Sequence, residues 1–179
     1  MDPLTSSDIR NQLHEYLLRV CDLEPVEFDP EWPSLCHVGE PDEDGMIGWQ
    51  PVAMETVPDF SPVESVLAAK GLTLHPDVVT LYGSFWAGHA EDEHSGRSMS
   101  LGTVWNEEEL QRGIEQLAHG ARLQLAEPNL PLAFGVASSD SDLMFVLDNA
   151  TGAIHLQEPF REYEEMVAPS LLQFLKDLC

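Results

Sequence analysis

Three short apolar segments near the C-terminus, separated by turn-forming residues, restrict the fold of this chain more than any other feature. The segments are residues 132–138, 143–149 and 153–157, and the intervening residues read "SDSD" and "ATG". Connections this short join neighbouring antiparallel strands, because a parallel pair needs a crossover of about a dozen residues or more. The sequence therefore predicts a three-stranded antiparallel meander.

Helical patterns lie on both sides of this meander. Apolar residues recur at helical spacing in residues 8–21, and Asn106 precedes three glutamates that suit the positive end of a helix dipole. Residues 61–70 begin with a capping-box pattern and are followed by Gly71, and residues 169–179 are rich in leucine. These patterns predict four helices.

Three further strands are predicted before the helix that follows Asn106. Residues 46–52 form a short apolar segment ended by a proline, which favours a strand near a sheet edge. Residues 78–88 combine β-branched and aromatic side chains, and residues 97–105 alternate well enough to pair with them as a hairpin. The complete order predicts a single α+β domain over residues 1–179, with a mostly antiparallel sheet of about five to six strands and helices packed on it.

The balance of charge is strongly acidic. The chain has 32 Asp and Glu residues against eight Lys and Arg, a formal net charge of -24, and the stretch between Arg19 and Lys70 holds twelve acids and no Lys or Arg. Nucleic acid and anionic lipid are disfavoured as direct ligands, because phosphate groups require a basic surface. Two interpretations remain open: a basic partner, or acids that keep a small protein soluble.

The segment "GHAEDEH", residues 88–94, is expected at or just before the loop of the predicted hairpin. His89 and His94, with Glu91 or Asp92, offer imidazole and carboxylate ligands for a metal. However, an H-x4-H spacing in a loop lacks the helical spacing of the zinc motif H-E-x-x-H. A solvated hairpin tip is the alternative interpretation, and we predict no metal here.

Other motifs of enzymes and cofactor sites are missing or incomplete in the sequence. It contains no G-x-S-x-G elbow, P-loop or G-x-G-x-x-G pattern, and the EF-hand-like "EPDEDG" has Pro51 where the loop needs its final glutamate. Cys21, Cys36 and Cys179 are far apart and odd in number, which fits a reducing compartment. No signal peptide or apolar run of ~18 residues is present, so neither export nor membrane insertion is expected.

Several longer segments resemble one protein family. They are "GWQPV", "LHPDVVTLYGSFWAG", "LGTVWNEEELQRGIEQLAHG", "LPLAFGVA", "VLDNATGAI" and "APSLLQFLKDL". In this order they are similar to the SecY-interacting Syd family, which is related to the SMI1/KNR4-like superfamily. The resemblance covers most of the chain from Trp49 to the end. It implies an α+β fold of the SMI1/KNR4-like type and no enzymatic activity.

The resemblance further implies a peripheral protein on the cytoplasmic side of the bacterial inner membrane. Such a protein binds the channel subunit SecY, prefers SecY that is not properly complexed, and acts as a chelator or negative regulator of the translocase. The hypothesised docking surface for the basic cytoplasmic loops of SecY consists of Glu91, Asp92, Glu93, Asp42, Glu43 and Asp44. Two alternatives are an immunity-type protein that neutralises a basic toxin and a metal-dependent hydrolase that uses His89 and His94.

Overall fold

The structure is a computed structural model that describes residues 3–21, 25–139 and 142–178. Its helices are α1 (Pro3–Cys21), α2 (Ser61–Ala68), α3 (Pro76–Tyr82), α4 (Glu107–Ala126) and α5 (Leu171–Leu178). Its strands are β1 (Val26–Glu27), β2 (His37–Val38), β3 (Met46–Trp49), β4 (Val52–Ala53), β5 (Phe85–Trp86), β6 (Ala90–His94), β7 (Arg97–Leu101), β8 (Ala133–Ser139), β9 (Met144–Asp148), β10 (Ile154–Gln157) and β11 (Tyr163–Ala168). Cys179 and part of the predicted "SDSD" turn, Asp140 and Ser141, lie outside the described residues.

The largest sheet has six antiparallel strands in the order β11-β10-β9-β8-β7-β6. The predicted meander is confirmed, because β8, β9 and β10 pair in sequence at the centre of this sheet. β9 is buried at three consecutive residues, Phe145, Val146 and Leu147. Because successive residues of a strand point to opposite faces, this pattern means that both faces of β9 are covered. The predicted α+β class with a mostly antiparallel sheet is also confirmed.

Two rows of register partners show how the faces of this sheet differ. One row comprises Ala90, Leu101, Ala137 and Phe145. The next row comprises Glu91, Ser100, Ser138 and Met144. Successive residues of a strand point to opposite faces, so the first row enters the core, where Phe145 lies 5.5 Å from Phe174 of α5. The second row, with its small serines, forms part of the opposite face.

Helices cover the sheet unequally. α1 packs on α5, α3 and β6, and its buried stripe includes Ile9, Leu13 and Leu17, as the helical spacing predicts. The helix begins at Pro3 rather than at residue 8. α2 packs on α4, which contacts β8 on the face away from α5. No described helix is both long enough and apolar enough to cross a membrane.

The prediction of a strand over residues 78–88 is wrong for its first half. Pro76 to Tyr82 form helix α3, and only Phe85 and Trp86 are extended. His75 precedes the helix with an extended backbone, and its Nδ1 accepts a hydrogen bond from the Asp77 N–H at 3.2 Å. Pro76 occupies the first helical position, where its missing N–H costs nothing, so the N-terminal signal overrides the β-branched composition.

The hairpin partner of β7 also differs from the predicted one. β7 pairs with Ala90–His94, which means that most of "GHAEDEH" is a strand and not a loop. The two-residue turn is Ser95–Gly96, and both residues have positive φ, 52° and 77°. Turns of this kind match the twist of antiparallel strands, and they favour glycine at the second position. A second correction concerns β3, which was predicted near an edge and is the middle strand of the small sheet β1-β3-β2.

Two smaller differences concern a cap and a strand. The Ser61 side chain does not cap α2; instead Asp59 accepts hydrogen bonds from the Ser61 N–H at 2.9 Å and the Ser61 hydroxyl at 3.0 Å. The helix itself is confirmed, and Gly71 ends it with a φ of 71°. Strand β11 was not predicted, because its outward residues are charged and its apolar alternation is weak.

Candidate functional site

A groove lies between the small sheet β1-β3-β2 and the open face of the six-stranded sheet. Its volume is about 910 Å³. Ser100, Ser138 and Met144 from one row of register partners line its floor, and Val26 and Met46 of the small sheet line the facing wall. The serines are too small to fill the space between the two sheets, which explains why a groove is present here.

Carboxylates surround this groove. Glu27, Asp29, Glu91 and Glu109 line it, and we call this site, with its floor, the acidic groove. His89 is also in the lining, and among the described residues that line the groove there is no Lys or Arg. Acids in a concave surface with apolar walls focus a negative potential, which raises the local concentration of cationic ligands. The acidic groove is therefore suited to a basic ligand.

Hydrogen bonds hold the aromatic wall of the groove in place. Trp105 Nε1 donates to the carbonyl oxygen of Trp32 at 3.0 Å, and Asn106 Nδ2 donates to that of Pro33 at 3.2 Å. The backbone N–H of Trp105 donates to Glu109 Oε2 at 2.6 Å. The loop that carries Trp32 is thus attached to the start of α4, so the wall and the carboxylate of Glu109 have fixed positions.

A second depression, between α4 and strands β8–β10, adjoins the acidic groove. This depression has a volume of about 590 Å³, and Leu110, Leu117, Phe134, Val146 and Phe160 are among its lining residues. We call it the apolar cleft. The residues common to both depressions are Trp32, Tyr82, Thr103, Glu109, Gly135 and Met144.

Titratable side chains next to the groove have structural roles. Burial raises the pKa of Tyr82 to about 12, and its hydroxyl donates to the Gly135 carbonyl oxygen at 2.8 Å. Burial also raises the pKa of Cys36 to about 11, so this thiol is not a nucleophile at neutral pH. Burial lowers the pKa of His37, whose ring packs edge-on against Trp105 with 4.7 Å between centroids. All three groups are uncharged near pH 7.

The structure separates the acids of "GHAEDEH". Glu91 lines the acidic groove, whereas Asp92, the next residue of β6, points to the opposite face and forms an ion pair with Arg19 of α1. Asp92 therefore faces away from Glu91, and its expected role in docking stays a prediction. Glu93 is exposed on β6 but is not part of the groove lining.

The three acids of the β2–β3 turn are also outside the groove lining. Asp42 Oδ1 accepts hydrogen bonds from the backbone N–H groups of Asp44 at 3.0 Å and Met46 at 2.8 Å, so its carboxylate stabilises its own turn. Glu43 and Asp44 are exposed at the tip. Their role in docking stays a prediction.

The two histidines of the proposed hydrolase are not brought together. His89 lines the acidic groove, while His94 packs against Phe145 and Phe174 in the core, at centroid distances of 5.9 and 5.3 Å. The described residues contain no group of three or more His, Cys, Asp or Glu side chains that could hold a metal ion. The hydrolase alternative thus loses the geometry on which it depended.

Three carboxylates of the groove were not predicted from the sequence. Glu27 and Asp29 belong to the Arg- and Lys-free stretch after Arg19, which was the available signal, but nothing in that stretch distinguished them from other acids. Glu109 was assigned only to the helix dipole of α4. Its position beside Trp105 depends on contacts between distant segments.

Comparison with known proteins gives a consistent result. Residues 10–179 match the model of a family described as Syd protein (SUKH-2). A Protein Syd from Pseudoalteromonas atlantica is 30% identical over 156 residues, which cover 86% of this chain and 82% of that protein. A Protein Syd from Shewanella sp. (strain MR-7) is 30% identical over 179 residues, 98% of this chain and 81% of that protein. A Protein Syd from Colwellia psychrerythraea is 25% identical over 162 residues.

Proposed function

The chain belongs to the Syd family, and on that premise we propose that it binds basic cytoplasmic loops of the translocon subunit SecY in the acidic groove. The protein then acts without catalysis, as a peripheral component on the cytoplasmic side of the bacterial inner membrane. The observation that carries this proposal is the convergence of Glu27, Asp29, Glu91 and Glu109 on one concave site.

The charge of the partner supports this assignment. Cytoplasmic loops of membrane proteins are enriched in Lys and Arg, whereas the anionic lipid around them repels a protein with a net charge of -24. A basic loop that extends beyond the lipid headgroups is therefore favoured over the membrane itself. The groove accepts such a loop because its walls are open at the rim and its exposed carboxylates Glu27, Asp29 and Glu91 lie there.

The same geometry suggests how the protein discriminates between states of SecY. A loop can enter the groove only if no other partner covers it, so SecY that lacks its normal partners is the preferred target. Binding would then block those loops and keep the subunit from productive complexes. This is the basis on which we infer a role as a chelator or negative regulator of the translocase.

The first experiment compares two doubly substituted proteins with the same net charge. Glu27→Lys with Glu91→Lys changes the groove, and Glu164→Lys with Glu165→Lys changes exposed residues of β11 that are not part of its lining. Capture of detergent-solubilised SecY is measured at about 50 mM salt, where screening is weak. We expect the groove variant to bind about tenfold or more weakly, since each exposed pair contributes ~0.2–1 kcal/mol and reversal adds repulsion.

The β11 variant is expected to retain most of the affinity, because the total charge is equal and only its position differs. Equal loss in both variants would mean that net charge alone controls binding and would contradict the groove assignment. Normal binding by both variants would remove the acidic groove from the proposal altogether.

An immunity-type protein that neutralises a basic toxin is the rival from another class. A protein that blocks a basic catalytic cleft needs a protruding acidic surface, whereas this acidic site is concave and receives a segment. Nanomolar binding to a soluble basic enzyme, together with no capture of SecY, would favour the rival.

A further inference from the structure

The apolar cleft beside the acidic groove has no role in the proposed binding of cations. Its lining is mainly apolar, with Leu110, Leu117, Phe134 and Val146 in the walls, and it adjoins the groove at Met144, which lines both. A volume of about 590 Å³ lies within the range of sites that take small ligands or large side chains. A segment bound in the groove therefore lies next to an open apolar site.

Phe160 at the mouth of this cleft has an unusual conformation. The Arg161 N–H donates to the Glu158 carbonyl oxygen at 3.1 Å, which closes a turn with Pro159 and Phe160 in the middle. Proline fixes a negative φ, and Phe160 has a φ of 60°, so this is a type II turn with phenylalanine at the position that favours glycine. A bulky residue with positive φ is strained.

The side chain of Phe160 gains little from folding to offset this strain. It is 51% exposed, although it lines the apolar cleft. A glycine would relieve the backbone and remove exposed apolar surface at the same time, so stability alone does not explain a phenylalanine here. An apolar contact with a bound partner explains both its exposure and its position.

Charged side chains are distributed unequally between the groove and the cleft. Among the described residues of the cleft lining, Arg112 carries a positive charge, and its guanidinium lies over the Trp32 ring at 5.0 Å from the centroid. The same guanidinium forms an ion pair with Glu108, and Glu109 lines both depressions, whereas Glu27, Asp29 and Glu91 line only the groove. Three of the four groove carboxylates therefore lie outside the cleft lining, so the basic residues of a bound segment are attracted to the groove and an apolar residue fits the cleft.

We propose that the cationic segment bound in the acidic groove also inserts one bulky apolar side chain into the apolar cleft, against Phe160. This inference rests on the proposed function, because the same segment supplies both the cations and the apolar residue. The groove then governs encounter and the cleft governs the lifetime of the complex, as expected when exposed charges contribute little and a buried apolar anchor contributes most of the affinity.

The test uses two synthetic peptides that differ at one position. Both contain the same Lys and Arg residues, and one carries leucine where the other carries serine. Their affinities for the unmodified protein are measured by fluorescence anisotropy at about 50 mM salt. We expect the leucine peptide to bind about tenfold more tightly, and Phe160→Gly to abolish that difference without weakening the serine peptide.

Phe160→Gly is informative because it is expected to fold at least as stably as the original chain, given the positive φ. Met166→Ala is the control, since Met166 is 62% exposed on β11 and does not line the cleft. Equal affinity of the two peptides for the unmodified protein would overturn the inference and leave the acidic groove intact. If neither peptide binds, both this inference and the proposed groove fail.

Discussion

At Gly88 the backbone lies against the indole of Trp49, and this contact connects the small sheet to the strand that carries Glu91. A Cβ atom added to Gly88 would lie 2.6 Å from Trp49 Cε2 and 2.8 Å from Trp49 Nε1. Trp49 is only 2% exposed, so its ring has no free space in which to move. The residue is glycine because of this close approach, and not because of its backbone conformation.

We predict that Gly88→Ala lowers the free energy of unfolding by about 1–3 kcal/mol, since the extra methyl group overpacks a rigid contact. Urea denaturation followed by circular dichroism measures the change without relying on Trp49 fluorescence. Gly113→Ala is the matched control: no atom outside the neighbouring residues and the backbone of α4 itself lies within 4 Å of the added Cβ, and alanine in the interior of α4 should stabilise by about 0.5–1 kcal/mol. Equal effects of the two substitutions would contradict the prediction.

At the scale of single residues, the sequence predicted the candidate site only in part. Glu91 was among the predicted docking residues and lines the groove, but its neighbour Asp92 pairs with Arg19 on the other face. The reason is the two-residue period of a strand, which separates adjacent side chains once β6 is recognised as a strand. Glu27 and Glu109 could not have been grouped with Glu91, because only the tertiary fold brings them together.

Among the secondary-structure elements, α4 was predicted most accurately, and its first turn explains why. Asn106 Oδ1 accepts a hydrogen bond from the Glu109 N–H at 3.0 Å, as its identity as a cap predicted. Helix α3 was missed, although Pro76 and Asp77 are both typical of a helix N-terminus. In that segment the β-branched residues Val78, Val79 and Thr80 favoured a strand, and intrinsic preference is weaker than capping and packing on α1.

We predict that Asn106→Ala costs about 1 kcal/mol of stability through loss of the cap. It also removes the hydrogen bond to Pro33, so the loop that carries Trp32 should loosen and SecY binding should weaken. Asn106→Asp keeps the acceptor for the helix and removes the donor to Pro33. Thermal unfolding should therefore show the aspartate variant close to the original chain, and equal destabilisation of both variants would contradict a capping role.

For the whole molecule, the order of predicted helices and strands, with the meander at its centre, and the family resemblance together predicted the class of fold. What the sequence did not predict is the division of the remaining strands into small sheets. Strands β1 to β5 have between two and four residues each, too short for a periodic pattern to be visible. Their arrangement is decided by side chains such as Trp49 and Cys36, which are buried by distant parts of the chain.

The concentration of acids predicts how ionic strength affects the proposed binding to SecY. We expect the association rate to fall about tenfold or more between about 50 and about 300 mM salt, because steering of a basic loop toward the groove is screened over ~8–10 Å. The dissociation rate should change by less than about threefold if the proposed apolar contacts in the cleft hold the bound segment. Stopped-flow or surface-plasmon measurements separate the two rates. A salt effect confined to dissociation would contradict this division of roles.

Strand β6 lies at the end of the six-stranded sheet, and four of its five residues are Glu91, Asp92, Glu93 and His94. The backbone N–H of Glu93 already donates to Asp92 Oδ1 at 2.8 Å, which removes one donor that another chain would need for edge-to-edge pairing. Adjacent copies of the protein would also place glutamates against glutamates. The carboxylates of this strand therefore disfavour strand-to-strand association between copies of the protein at high concentration, in addition to any part they have in recognition.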